Sequence, residues 1–116
     1  MKILLNVSTF PSRKWSEEEK KGWNKIIDIF PPKILPEATI KEVENEAILL
    51  KQKIMNEIQR NGTEALIWCY YDGDKSLGVE LITISNDEIP FASKVLDVQF
   101  VDGKKVVKFV SYRLHR

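Results

Sequence analysis

The chain opens on an apolar run, Ile3-Leu4-Leu5-Asn6-Val7, that passes directly into Ser8, Thr9, Phe10 and Pro11. A run without a polar face suits a strand covered on both sides, so a central strand is predicted from about Lys2 to Val7. Ser16 with Glu19 has the spacing of a capping box, which predicts a short helix starting near Ser16, with Trp23 packing it onto the sheet. Lys25 to Phe30 reads as a second strand, stopped by Pro31-Pro32. Thr39 with Glu42 repeats the capping pattern. Beyond it, Ile40, Val43, Ala47, Leu50, Ile54 and Ile58 recur three or four residues apart among Lys and Glu, predicting an amphipathic helix from Ile40 to Arg60 that Asn61-Gly62 ends. Ala65 to Tyr71 is apolar on both faces and reads as a third, buried strand. Strand, helix, strand from Ile26 to Tyr71 implies a parallel pair joined by a right-handed crossover.

After Tyr71 the pattern changes. Asp72-Gly73-Asp74 reads as a turn and Leu77 to Ile84 as a fourth strand, reached through a connection too short for a helix and therefore expected to pair antiparallel. Ser85-Asn86-Asp87-Glu88 and Pro90 break the chain again. Val95 to Val101 and Val106 to Leu114 then flank Asp102-Gly103-Lys104-Lys105 as a hairpin. The expected fold class is α/β, a Rossmann-like mixed sheet. Its N-terminal part is parallel, helices lie on its faces, and an antiparallel β-hairpin ends it. All 116 residues, 1–116, are expected in one domain.

Composition narrows the function classes. A net charge of +1 gives no global basic field, so tight nonspecific binding of duplex DNA is not expected. No apolar run approaches the roughly 18 residues of a membrane span, and Met1-Lys2-Ile3 begins a strand rather than a signal peptide. A cytoplasmic protein without a membrane partner is expected. The single cysteine, Cys69, forms no intramolecular disulfide and has no nearby His or Cys, which favours a core thiol over a nucleophile or zinc ligand. There is no G-x-G-x-x-G and no Walker loop, which removes the usual dinucleotide and NTPase readings. His115, the only histidine, stands beside the C-terminus, where a frayed tail is its simplest role.

Two stretches carry candidate chemistry. Ser8 and Thr9, at the carboxyl end of a central strand, can face an anion, or can satisfy the backbone of the strand-to-loop transition. In the same loop Arg13 and Lys14 supply cations for phosphate, and Trp15 an aromatic face on which a base could stack. The bland alternative is a solvated loop with Trp15 packed on the helix. Tyr70, Tyr71, Asp72 and Asp74 end the third strand. If strands one and three are adjacent and parallel, their ends meet at the crevice where open α/β sheets bind ligands. A core Tyr pair and an Asp-Gly-Asp turn is the competing reading. Two carboxylates in one turn do not specify a metal site, so neither metal nor cofactor is expected.

The run Met1-Lys2-Ile3-Leu4-Leu5-Asn6-Val7-Ser8-Thr9, then Lys14-Trp15-Ser16-Glu17-Glu18, then Gly22-Trp23 through Ile26-Ile27-Asp28-Ile29, resembles small CRISPR-associated proteins that accompany type III systems. Those are Rossmann-like chains similar to CARF domains and to the ring nucleases that cleave cyclic oligoadenylate messengers. The resemblance covers the first third and the closing hairpin. It implies a homodimer with a ligand pocket across its two-fold axis. It also implies that Ser8 and Thr9 contact the ring phosphates, with Ser8 and Lys14 as catalytic residues. Thr9, Phe10, Arg13, Trp15, Tyr71 and Asp72 would then bind the ligand. Ring nucleases often need no metal, because a ribose 2′-hydroxyl held in line attacks its own phosphate. One departure is expected: such chains carry a helix after the third strand, and Asp72 to Ser76 leaves no room for it. Two readings from other classes compete. One is a noncatalytic interaction subunit docking through the hairpin or the long helix. The other is a small RNA-binding or RNA-cleaving protein that uses Lys104, Lys105, Lys108, Arg113 and Arg116.

Overall fold

The computed structural model describes residues 1–62 and 65–115. Strand β1 (Lys2–Ser8) is buried along all but its first residue and is flanked on both sides. It pairs in parallel with β2 (Lys25–Ile29) and with β3 (Leu66–Asp72). Strand β3 in turn pairs in parallel with β4 (Phe91–Val101), and β4 runs antiparallel to β5 (Lys104–Leu114), giving the order β2-β1-β3-β4-β5. The fold is therefore α/β, with a five-stranded mixed sheet ending in an antiparallel hairpin.

Helix α1 (Glu17–Lys20) starts with the predicted capping box, Ser16 and Glu19 exchanging backbone and side-chain hydrogen bonds. Helix α2 (Ile40–Arg60) buries Val43, Ala47, Leu50 and Ile54, and Thr39 Oγ1 accepts from the Glu42 N–H at 3.2 Å. Ile40, expected on the core face, is exposed instead, at the first position of the helix, and the buried stripe begins one turn later at Val43. Gly62, at φ +80°, turns the chain out of the helix in a conformation that an L side chain resists.

The segment expected as a fourth strand is a helix, α3 (Lys75–Ser85). Asp74 is its N-cap, its Oδ1 accepting from the Leu77 N–H at 3.0 Å. Leu77, Gly78, Leu81 and Ser85 are buried at helical spacing. Of the β-branched residues that suggested a strand, Val79, Ile82 and Thr83 lie on the outer side, where Thr83 bonds back to the Val79 carbonyl at 2.8 Å, while Ile84 packs against the core. Asn86 ends the helix at φ 47°. The connection after Tyr71 thus holds a helix, and β3 pairs with its successor in parallel, which corrects the expectations of a connection too short for a helix and of an antiparallel fourth strand.

The two faces of the sheet are covered unequally. Against one, α2 and α3 pack on Ile3, Leu5, Val7, Ile29, Ile67 and Cys69. Against the other, where no long helix lies, Trp15 closes over Leu4, Trp68 and Ala92, with Trp23, Ile26, Tyr70 and Tyr112 around it. Strand β4 meets β3 through only two residue pairs, Cys69 with Phe91 and Tyr70 with Ala92, so the rest of the hairpin projects as an arm. A radius of gyration of 15.3 Å, against about 13 Å for a compact chain of this length, records that projection. Asp102 and Gly103, both at positive φ, make the tight turn at its tip.

Candidate functional site

The order β2-β1-β3-β4 makes the chain leave β1 toward one side and β3 toward the other. A crevice opens between the carboxyl ends of such a pair, where open α/β sheets take their ligands. Here Ser8 stands opposite Asp72 and Val7 opposite Tyr71, so the two predicted stretches do meet.

Beneath that rim lies a buried polar network. Asn6 donates from Nδ2 to the Phe10 carbonyl at 2.9 Å and to Asp28 Oδ1 at 3.0 Å. The Ser8 hydroxyl donates to Asn6 Oδ1 at 2.7 Å, and both Asp28 oxygens accept from the Ser12 N–H at 3.2 Å. A carboxamide and a carboxylate at the ends of adjacent strands thereby hold the loop at 9–14 in one shape. Sequence reasoning missed Asn6 and Asp28, although a lone Asn inside an otherwise apolar strand was the available signal.

The expected site residues divide into two groups. Thr9, Phe10, Arg13, Lys14 and Asp72 are exposed at the rim. Ser8, Trp15 and Tyr71 are instead built into the fold. Ser8 is only 2% exposed and its hydroxyl is held by Asn6, which corrects the expectation that it contacts phosphate. Trp15 is 4% exposed and meets Tyr70 edge-on at 5.8 Å, with the Lys94 ammonium 3.5 Å from its ring centroid, leaving no free face for a base. Tyr71 turns to the α3 side, where its hydroxyl donates to the Asp74 carbonyl at 2.6 Å and its ring lies against Gly78. Lys75 and Ser76, expected in the short connection after the third strand, become the exposed first turn of α3 on the crevice edge and add a cation there.

Helix α1 contributes little to anion binding, since Glu17, Glu18 and Glu19 fill its first turn. Glu19 serves the fold: its Oε2 meets Lys94 Nζ at 2.6 Å, and its carbonyl accepts from the Tyr112 hydroxyl at 2.7 Å. Burial disfavours the charged carboxylate, but hydrogen bonds from Lys94 and Ser16 outweigh it and hold Glu19 below the ordinary carboxylate value. Tyr70, whose hydroxyl donates to Asp72 Oδ2 at 3.3 Å, is kept protonated by burial and by the charge of Asp72. Burial pushes the Cys69 thiol up to about 12, so it is a core group without thiolate reactivity. His115 lies away from the crevice, its Nε2 2.7 Å from Ser93 Oγ. Among the described residues, no group of three or more His, Cys, Asp or Glu side chains is placed to hold a metal ion, and no helix is long and apolar enough to cross a membrane. No family model, curated protein or solved structure matches this chain.

Proposed function

We propose that this chain is a CRISPR-associated accessory protein that binds a cyclic oligoadenylate, and cleaves it, at the crevice between β1 and β3. The observation that carries the reading is the meeting of the exposed Thr9, Phe10, Arg13 and Lys14 with Asp72 and the start of α3 at a topological switch point. Arg13, Lys14 and Lys75 supply the charge that ring phosphates need, and Phe10 supplies an exposed aromatic face for a base. Cleavage follows without a metal if the ring is held so that a ribose 2′-hydroxyl, giving up its proton to water, attacks the adjacent phosphorus. The 2′,3′-cyclic phosphate forms as the P–O5′ bond breaks, and the leaving 5′-oxygen takes up a proton from water. Lys14 is the cation that offsets the growing phosphate charge, while Ser8 and Asn6 act only by shaping the loop.

The test is incubation with cyclic tri-, tetra- and hexa-adenylate, with and without EDTA, followed by chromatography of the products. Linear fragments from wild type in both lanes, and their loss in Lys14→Ala and Arg13→Ala, are expected. Failure of every ring to be cleaved or to raise the melting temperature rejects the reading.

A further inference from the structure

We propose that one face of the β4–β5 arm is a binding track for single-stranded RNA, running from the tip of the hairpin into an aromatic groove at its root. Beyond Ala92, the last residue that pairs with β3, β4 continues to Val101, a free ribbon of about 30 Å at the usual rise per residue. The bulge between Val95 and Leu96 takes its extra residue, Val110, from β5, so β4 keeps its alternation through it. The face that carries Ala92 and Lys94 beneath Trp15 therefore continues outward as Leu96, Val98 and Phe100. Opposite them, β5 presents Phe109, Val107 and Lys105. Phe100 is 74% exposed, and Leu96, Val98 and Val107 are each about half exposed, so no described residue covers the strip.

At the root the strip enters a shallow groove of about 330 Å³, whose lining includes Lys2, Glu18, Lys21, Trp23, Phe109 and Tyr112. The Tyr112 ring stands 5.4 Å from Trp23 and 5.1 Å from Phe109, and the Lys2 ammonium lies 4.9 Å from the Trp23 ring centroid. Aromatic rings at tip and root, joined by an aliphatic floor, offer faces to unpaired bases, which a duplex keeps stacked on one another. Lys105 at the tip and Lys2 and Lys21 at the root supply cations for the phosphates between those bases.

The charge pattern favours a polyanion over a protein on this strip. Leaving aside Lys94, which Glu19 neutralises, residues 91–116 hold five Lys and Arg against two Asp, in a chain whose net charge is only +1. Neither Asp stands on the strip: Asp97 alternates onto the opposite face, in register with Lys108, and Asp102 sits in the turn. Lys104, Lys108 and Arg113 share that opposite face, but a ribbon one sheet thick lies within a Debye length of about 10 Å, so their field adds at the strip. The aromatic rings decide which face the bases take. Glu18, the one acid among the groove's described residues, selects the sugar: its carboxylate repels phosphate but accepts from a ribose 2′-hydroxyl, which DNA lacks. The inference does not depend on what the crevice binds.

Fluorescence anisotropy of labelled dodecauridylate RNA is the deciding measurement. The logarithm of its affinity for wild type should fall with the logarithm of salt at a slope of about −2, from about −0.7 for each of three lysine contacts. That is a loss of roughly fifteenfold between about 50 and 200 mM salt. Lys105→Ala should flatten the slope by about 0.7. Phe100→Ala should weaken binding at least about fivefold with an unchanged slope and an unchanged circular dichroism spectrum. The oligodeoxyuridylate of the same length should bind more weakly than the RNA, and Glu18→Ala should close that gap. Absence of RNA binding at about 50 mM salt overturns the proposal and leaves the arm to a protein partner. Binding that survives Phe100→Ala but is lost in Lys14→Ala overturns it too, since the RNA then occupies the crevice, and equal affinity for the DNA overturns the choice of RNA.

Discussion

Lys94→Met removes a charge from the face of the sheet that Trp15 closes while keeping most of the apolar stem. The ammonium is 2.6 Å from Glu19, 3.5 Å from the Trp15 centroid and 4.6 Å from the Tyr70 centroid. An exposed ion pair is worth about 0.2–1 kcal/mol, whereas breaking a buried one costs about 3–5 kcal/mol. The two side chains are 11% and 18% exposed, which places this pair toward the buried end. A cation over two rings adds about 1 kcal/mol. With the loss partly offset by the Met side chain, destabilisation of about 2–3 kcal/mol follows, a fall in melting temperature of roughly 10 °C for a chain of this size. The pH dependence gives a second handle. Because folding lowers the Glu19 pKa, the stabilisation is present above its ordinary value of 4.5 and is lost as pH falls through the folded value. Thermal or urea unfolding should therefore show the full gap between wild type and Lys94→Met at neutral pH, narrowing below about pH 4.5. A neutral-pH gap under about 0.5 kcal/mol, or strict additivity of Lys94→Met with Glu19→Gln, would refute the assignment of this pair as a structural tie.

Further expectations concern the loop, the third helix and the tyrosines. Asn6→Ala, which strips the buried network of its centre, should cost about 2–3 kcal/mol in denaturant unfolding and speed proteolytic nicking within 9–15; unchanged nicking would show that the loop holds its shape by other means. In Gly78→Ala the new methyl would lie 2.7 Å from Tyr71 Cε1, and overpacking of about 1–3 kcal/mol exceeds a helix-propensity gain of about 1 kcal/mol, so net destabilisation is expected. In a Tyr71→Ala background the same change should become neutral or stabilising, and continued destabilisation would contradict the contact. Burial raises all three phenols, Tyr71 to about 12 and Tyr70 and Tyr112 further. Spectrophotometric titration should therefore show little phenolate at pH 10, where free tyrosine is half ionised. The associated stability is present below that pH and declines as pH rises toward the folded values; half-ionisation near 10 for all three would argue that the rings are solvated.

Local pattern sufficed for the elements whose signals are short-range. The unbroken apolar run of β1, the 3.6-residue period of α2, both serine and threonine caps and the Asp102-Gly103 turn each state their own structure, because backbone geometry alone decides which residues share a face. The sequence implied a parallel relation between β2 and β3 through the α2 crossover but left the adjacency of β1 and β3 as a condition; the sheet inserts β1 between β2 and β3, and that is what brings the ends of β1 and β3 together. What it could not decide was whether Leu77 to Ile84 follows period 2 or period 3.6, for nearly every residue there is apolar or β-branched. Burial of Leu77 and Leu81 against α2 resolves it. Nor could it tell which of the candidate residues point outward. Ser8, Trp15 and Tyr71 have ordinary site chemistry, but Ser8 is held by Asn6 two residues back on its own strand, the Tyr71 ring lies against Gly78 of the helix that follows, and Trp15 meets Lys94 from β4. The Trp15 contact depends on strand order and the Tyr71 contact on α3 being a helix, which only the folded sheet and its packing supply.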